Sequence, residues 1–417
     1  VFVLFGKVRS LILVFFLLPG LLLPSWADLG DAARFESALD HITRLARHRP
    51  TVERLLGSVR LALPAVSTEA LTVSGLANHL AQSSDKELPA QVIRAMLHSL
   101  DDRWARLYSP QESQSMRQGL DGDGQGSMGL NLVADEGRED GLLISDVAPN
   151  GPAVGLIHAG ERLQVIDGHD LREPSDVSLD SLLYGQPGQV AQLQIADRAG
   201  RSRQVEVERV DLDAPTAYVT KKDSVSTEVR ITSFGADTAQ ELRAILEDNP
   251  TGALVLDLRC NGGGYVKAAV ESSALFLKRG SLVVQTENRD GVIPYHTETA
   301  PVYRGNVCLL VNSKTASAAE IFTAALQHHL GAKVIGETTY GKGSVQRIVE
   351  LPGEWAMKMT ISSYRTAAGA LIDGVGIQPD LSLDMPVAAC RTEVDTQMDQ
   401  ARLHVRALAG AQSDPQG

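Results

Sequence analysis

The period of the apolar positions changes along this chain, and each change predicts a different kind of structure. From residue 28 to about residue 118 the apolar residues recur at helical spacing. After Pro89 they fall at Val92, Ile93, Met96 and Leu97, a stripe expected to face a core, and the proline suits a first helical turn. A glycine-rich polar loop, 122–127, follows. The pattern then shortens to β-like runs at 128–133, 141–147, 162–166, 190–196 and 203–210. Beyond 211 strands and helices alternate. VRITSF (229–234) reads as a strand, and 238–248 as a helix with Leu242, Ile245 and Leu246 inward. ALVLDLRCNGGG (253–264) is an apolar strand running into three glycines, and VCLLVN (307–312) is a short buried strand. Residues 318–330 place Ile321, Phe322, Ala325 and Leu326 on one helical face. Past Gln346 the pattern is strand-like, clearest at 357–364, then helical over 391–408, ending in a polar tail expected to be disordered. No internal repeat is visible. The fold class is mixed α/β.

Length and charge narrow the function. At 417 residues the chain is enough for two or three domains, and 43% hydrophobic with 22% charged residues supports globular cores. A net charge of −12 argues against a nucleic-acid partner, which needs a positive surface. Cys260, Cys308 and Cys390 form neither a disulfide framework nor a metal-ligand spacing, and His328-His329 suits a helix end rather than a zinc motif. No metal and no cofactor are expected. At the N-terminus Lys7 and Arg9 precede the apolar run 11–23, and Ser25-Trp26-Ala27 offers a small-x-small cleavage site. Residues 1–27 therefore read as an export signal, with an uncleaved anchor as the alternative; the run is short for a membrane span. A periplasmic or cell-envelope location follows.

The candidate chemistry lies in 312–346. Ser317 sits between a strand and a helix among Ala316, Ala318 and Ala319, so neighbouring side chains would not shield its hydroxyl. Strand, exposed serine and helix together present a nucleophile with a helix N-terminus behind it. Ser317-Ala-Ala-Glu320 also fits a capping box, in which the serine only satisfies orphan amides. Lys342 lies between Gly341 and Gly343, where backbone can approach another segment closely.

These strings carry a resemblance. TASAAE (315–320) and GKGSVQ (341–346) resemble the nucleophile and base segments of the carboxyl-terminal processing (tail-specific) proteases, which are PDZ-containing Ser-Lys peptidases. The resemblance runs from about 88 to 384 and includes the closing GVGIQPD (374–380), expected to be a structural turn. APNGPAVGLIHAGERLQVIDG (148–168) resembles part of a PDZ domain. The chain departs from the family pattern at Arg103, Trp104 and Ala105 after Asp102, and at Gly262, where relatives usually have proline. After the signal peptide (1–27) and a helical region (28–118), the resemblance implies a PDZ domain (119–210) and a crotonase-like α/β protease domain (211–384), with a tail (385–417) beyond. It implies Ser317 as nucleophile, Lys342 as base, Gln346 orienting the amine, and the amides of Gly263 and Ala318 as oxyanion donors. In the PDZ domain it implies a carboxylate loop at Ser127, Met128, Gly129 and Leu130, with 130–133 as the edge strand that a peptide extends. Protein or peptide substrates with free C-termini are then the expected partners, with room for an activating partner protein.

On this reading the lysine must act as a neutral amine. Its reference pKa of about 10.4 must fall to roughly 7–8, which requires desolvation and distance from carboxylates. Glu337 and Glu350 should therefore point elsewhere. Gln346 reaches the amine only if the segment turns, because an extended strand separates the two by ~13 Å. Two other functions compete: a non-catalytic PDZ adapter on an inactive protease fold, and an acyl-CoA enzyme of the crotonase type. The joint presence of Ser317, Lys342 and Gln346 argues against the first, and the export signal against the second.

Overall fold

A computed structural model describes residues 26–412, apart from 48–49, 67–70, 114–125, 135–139, 174–178, 249–251 and 388–393. The expected signal peptide up to residue 25 and most of the loop 122–127 lie outside the described residues, while its last two residues open the first helix. The chain divides into two compact units.

One unit holds residues up to 118 together with 287–291 and 344–363. Four helices, Trp26–Leu45, Val52–Ala62, Val73–Gln82 and Leu88–His98, supply most of it. The hydroxyls of Thr51 and Thr72 accept from Arg54 N–H and Gly75 N–H and so cap the second and third helices. Pro89 opens the fourth helix, where a missing N–H costs nothing, and the Val92, Ile93, Met96, Leu97 stripe is buried as expected. Phe35, Ile42, Leu55 and Ile93 pack with Met357 and Met359. Those methionines sit on Trp355–Thr366, which pairs antiparallel with Ser344–Leu351 on one side and Arg106–Tyr108 on the other. The Asp102 carboxylate fixes this join by accepting from Thr360 N–H (2.7 Å) and Oγ1 (2.9 Å).

The other unit contains two sheets. The smaller has Leu130–Val133 at its edge, followed by Leu142–Val147, Arg162–Ile166, Val190–Ala196 and Ser202–Glu208. Ile144, Leu163, Ile166, Leu193 and Ile195 form its core. The larger sheet runs Leu381–Ser382, Lys333–Gly336, Val307–Val311, Ala253–Asp257, Ser226–Ile231, Ala217–Lys222. All its neighbours are parallel except the last pair. The strands Ala253–Asp257 and Val307–Val311 are buried throughout, which explains their unbroken apolar sequences. Ala318–Leu330 is likewise buried on every side over 318–326, rather than on the single face its spacing suggested. Phe322 from this helix meets Phe234 (5.4 Å between ring centroids) and Phe276 (5.9 Å).

The C-terminal segment differs from expectation. The helix runs Thr396–Gln412, and it lays Met398, Ala401 and Val405 on Ala253, Val255, Cys308, Leu310 and Ile335 of the larger sheet. It is part of the core rather than an appendage. Its polar residues continue the contact, since Arg402 pairs with Glu228 at 2.7 Å. Sequence patterning also missed the strands Ala217–Lys222 and Lys333–Gly336.

Met398 is 6% exposed. Met398→Ala should lower stability by about 2–5 kcal/mol through lost burial and a cavity, read as a lower urea midpoint. An unchanged midpoint would show that the helix does not belong to the cooperative core.

Candidate active site

Three adjacent parallel strands, Ala253–Asp257, Val307–Val311 and Lys333–Gly336, end on one side of the larger sheet. Each feeds a loop that carries a predicted site residue, which is where open parallel sheets place ligands. Hydrogen bonds tie these loops together. Thr315 Oγ1 donates to Leu258 O (2.9 Å), Ala316 N–H to Asn261 O (2.9 Å), and Tyr340 N–H to Thr315 O (2.9 Å).

Ser317 stands at the turn from strand to helix with φ 56° and ψ −118°. A non-glycine residue in that region costs about 1–3 kcal/mol, which the surrounding bonds must hold. The side chain is half-buried, with Ala316 and Ala318 buried on either side. Ala318 N–H heads the helix, where an amide has no intrahelical acceptor.

Gly263 lies directly against the serine. A Cβ placed on it would meet Ala316 O and Ser317 Cβ at 2.7 Å and Ala318 N at 2.8 Å, and its φ is +99°. Only glycine fits there. Its amide, however, is engaged: Gly263 N–H donates to Asn261 Oδ1 at 2.8 Å, while Asn261 Nδ2 donates to Ile231 O at 3.0 Å. Gly262 is exposed.

The residue sequence reasoning undervalued is Glu320. The capping-box reading gave it one bond, to Ser317 N–H, and that bond is present at 2.7 Å. The same oxygen, Oε2, also accepts Lys342 N–H at 2.8 Å. Oε1 accepts Gly341 N–H (2.7 Å) and Thr339 Oγ1 (2.5 Å). Glu320 is fully buried. Burial pushes its carboxyl above the ordinary value, against the pull of these four donors. The GVGIQPD string, expected to be only a turn, buttresses the arrangement. Ile377 N–H donates to Thr339 Oγ1 (2.6 Å), and Gly374 N–H donates to Gly341 O (2.9 Å).

Lys342 is half-buried in an irregular turn that ends at Gly343. Glu337 is directed away, to Ser313 N–H (3.1 Å) and Met385 N–H (3.4 Å). The turn does not continue to Gln346. A strand begins at Ser344 with a bulge between Val345 and Gln346, and Gln346 Nε2 donates to Ser344 Oγ at 2.9 Å. Gln346 belongs to the helical unit, whereas Ser317, Lys342, Gly263 and Ala318 share the other.

A buried charge network braces the glycine loop, and sequence reasoning did not foresee it. Arg259, fully buried, pairs with Asp257 (2.8 Å) and with Asp395 of the C-terminal segment (2.8 Å). Arg230 pairs with Asp146 of the smaller sheet (2.7 Å) and donates to Ile231 O (2.9 Å) and Asp257 O (2.7 Å). Burial works against the Arg230 charge, but Asp146 and Asp257 more than offset it and hold the guanidinium protonated. Cys260, at φ 63°, donates its N–H to Asn312 Oδ1 (2.9 Å). The only sequence signal was the charged DLR following an apolar strand.

In the smaller sheet, Met128 is buried, and Gly129 has φ +72° and donates to Ser127 Oγ (3.1 Å). Leu130 opens an edge strand, which among the described strands pairs with Leu142–Val147 alone. Among the described residues, no group of three or more His, Cys, Asp or Glu side chains is placed to hold a metal.

Comparison with known proteins finds two family models that match this chain. Residues 227–383 match the Peptidase family S41 model, and 118–196 match the PDZ domain model. The Carboxyl-terminal-processing protease of Picosynechococcus sp. is 31% identical over 300 residues, covering 70% of this chain and 72% of that protein. The Carboxy-terminal processing protease CtpA of Bacillus subtilis is 29% identical over 311 residues, covering 73% of this chain and 66% of that protein. The chain thus spans just under two thirds of the Bacillus relative. Among solved structures, a photosystem II D1 C-terminal processing protease superposes with a TM-score of 0.60 at 23% identity, covering 85% of this chain and 93% of that one.

The tight fit of Gly263 can be tested directly. Gly263→Ala forces a Cβ against backbone atoms at a positive φ, and should cost about 1–3 kcal/mol, seen as a lower thermal midpoint. An alanine variant as stable as the parent would contradict the close approach of this loop to Ser317.

Proposed function

We propose that this chain, which belongs to the carboxyl-terminal-processing protease family, is an exported serine endopeptidase that cuts proteins near or from their C-termini through an acyl-enzyme on Ser317. The observation that carries this is the meeting of the Ser317 and Lys342 backbones on one Glu320 oxygen, beside Gly263 and the Ala318 amide.

A serine hydroxyl is a weak nucleophile until a base takes its proton. Lys342, as a neutral amine, removes that proton while Ser317 Oγ attacks the peptide carbonyl. The new oxyanion accepts from Ala318 N–H. A second donor becomes available when Gly263 N–H exchanges Asn261 Oδ1 for the oxyanion, so the loop must shift as substrate enters. Each such donor is worth about 3–4 kcal/mol in the transition state. The Lys342 ammonium then gives its proton to the leaving amine. Water, deprotonated by the same amine, releases the acyl group and restores Ser317.

The smaller sheet supplies substrate recognition on this proposal. A peptide C-terminus adds antiparallel or parallel to the edge strand Leu130–Val133, and its carboxylate meets amides of the 127–130 loop. The segment 1–27 directs export to the periplasm or cell envelope, and protein substrates with free C-termini are the partners.

Ser317→Ala and Lys342→Ala should each reduce cleavage of an unstructured protein with an apolar C-terminus by at least ~10⁴-fold, with peptide binding retained. Activity of the parent should rise with pH to a plateau as the amine deprotonates. A parent that binds the peptide but never cuts it would favour the adapter function instead.

A further inference from the structure

We propose that Glu320 is a positioning residue that sets the distance between nucleophile and base, by holding the backbone of each on one carboxylate oxygen. The inference deepens the Ser-Lys reading above and rests on it.

Glu320 accepts from four groups: Ser317 N–H and Lys342 N–H on Oε2, Gly341 N–H and Thr339 Oγ1 on Oε1. Thr339 Oγ1 itself accepts Ile377 N–H, so its one proton is free to go to Glu320. The three N–H groups can only donate, and a carboxylate accepts from all of them and from the Thr339 hydroxyl at once. The arrangement suits a carboxylate, held away from water by neutral dipoles. Glu320 is the third residue of the helix Ala318–Leu330, where the helix dipole also favours an anion.

A capping role needs only one acceptor oxygen, for Ser317 N–H. The bond from Oε2 to Lys342 N–H does something more: it ties a turn that follows a different strand to the serine turn. The lysine turn has no regular secondary structure over 341–343, and two of its N–H groups end on this one side chain. The glycines on either side of Lys342 let this turn lie against the 372–376 loop behind it. A Cβ on Gly341 would lie 3.0 Å from Gly376 N, and one on Gly343 would lie 2.0 Å from Asp373 N. The side chain of Lys342 starts from a backbone that Glu320 fixes relative to Ser317.

The isosteric variant separates positioning from packing. Glu320→Gln keeps the volume and one acceptor oxygen, so a cap or a core filler survives it. Its NH₂ group, however, must face N–H donors at the other oxygen's place, and one pair of bonds is lost. The full-length chain carrying Glu320→Gln should stay folded, with a thermal midpoint within a few degrees of the parent. Its kcat should fall about 10²-fold, the cost of a misplacement of roughly 1 Å, with KM changed less than about threefold. Thr339→Val, which leaves both catalytic amides bonded, should lose far less. A Gln variant with parental kcat, or one whose loss lies in KM, overturns the proposal.

If the Gln variant does not fold, hydrogen exchange of the parent decides. Gly341 and Lys342 amides should be protected to the level of the helix 318–330, and exchange as fast as an exposed turn overturns the tie. A folded parent without any cleavage would sink the protease reading, while the exchange result would still report separately on the Glu320 bonds.

Discussion

A buried carboxylate must find hydrogen-bond donors or stay neutral, and Glu320 finds four, all from segments that carry the chemistry. That requirement organises the site. The serine turn, the lysine turn and the threonine before it converge because each supplies a donor that the carboxylate needs. The strain at Ser317, φ 56°, is tolerable only in such a surrounding, where bonds from three loops over-determine the backbone. Gly263 against the serine turn, and Gly343 against Asp373, are positions where backbones come closer than a side chain would allow.

A second set of buried charges governs the glycine loop. Asp257, at the end of a wholly buried strand, is shared by Arg259 and Arg230, and these reach Asp395 and Asp146. Buried ion pairs add little net stability, because desolvation consumes most of the attraction. Removing one partner is costly, however, and this gives such a network its directional hold. Asn261, which engages the Gly263 amide, is anchored on Ile231 O, a carbonyl that Arg230 also bonds. The smaller sheet and the C-terminal segment are thereby joined by hydrogen bonds to the loop beside the serine.

Much of this was legible in the sequence, and what was not has a physical reason. The apolar strand 307–311, the small residues about Ser317 and the glycine-framed Lys342 announce themselves because local backbone demands fix those residue types. Strands at 162–166 and 190–196 fall where the alternation placed them. Glu320 read as an ordinary capping residue, because its bonds to 339–342 cross between strands and leave no local pattern. The engagement of Gly263 N–H by Asn261 is likewise a matter of loop geometry within a few residues that no spacing rule captures. The C-terminal helix looked like a tail because Met398, Ala401 and Val405 make a narrow stripe in a polar segment. Gln346 lies in a strand, where the expected role needed a turn.

The most direct measurement of the central claim is the site of covalent attachment during turnover. An activated ester of a short apolar peptide, quenched in acid during steady-state cleavage and digested, should give one acylated peptide by mass spectrometry, with the added mass on Ser317. Cleavage proceeding with the acyl group on another residue, or with no covalent species under conditions that trap other serine peptidases, would contradict it.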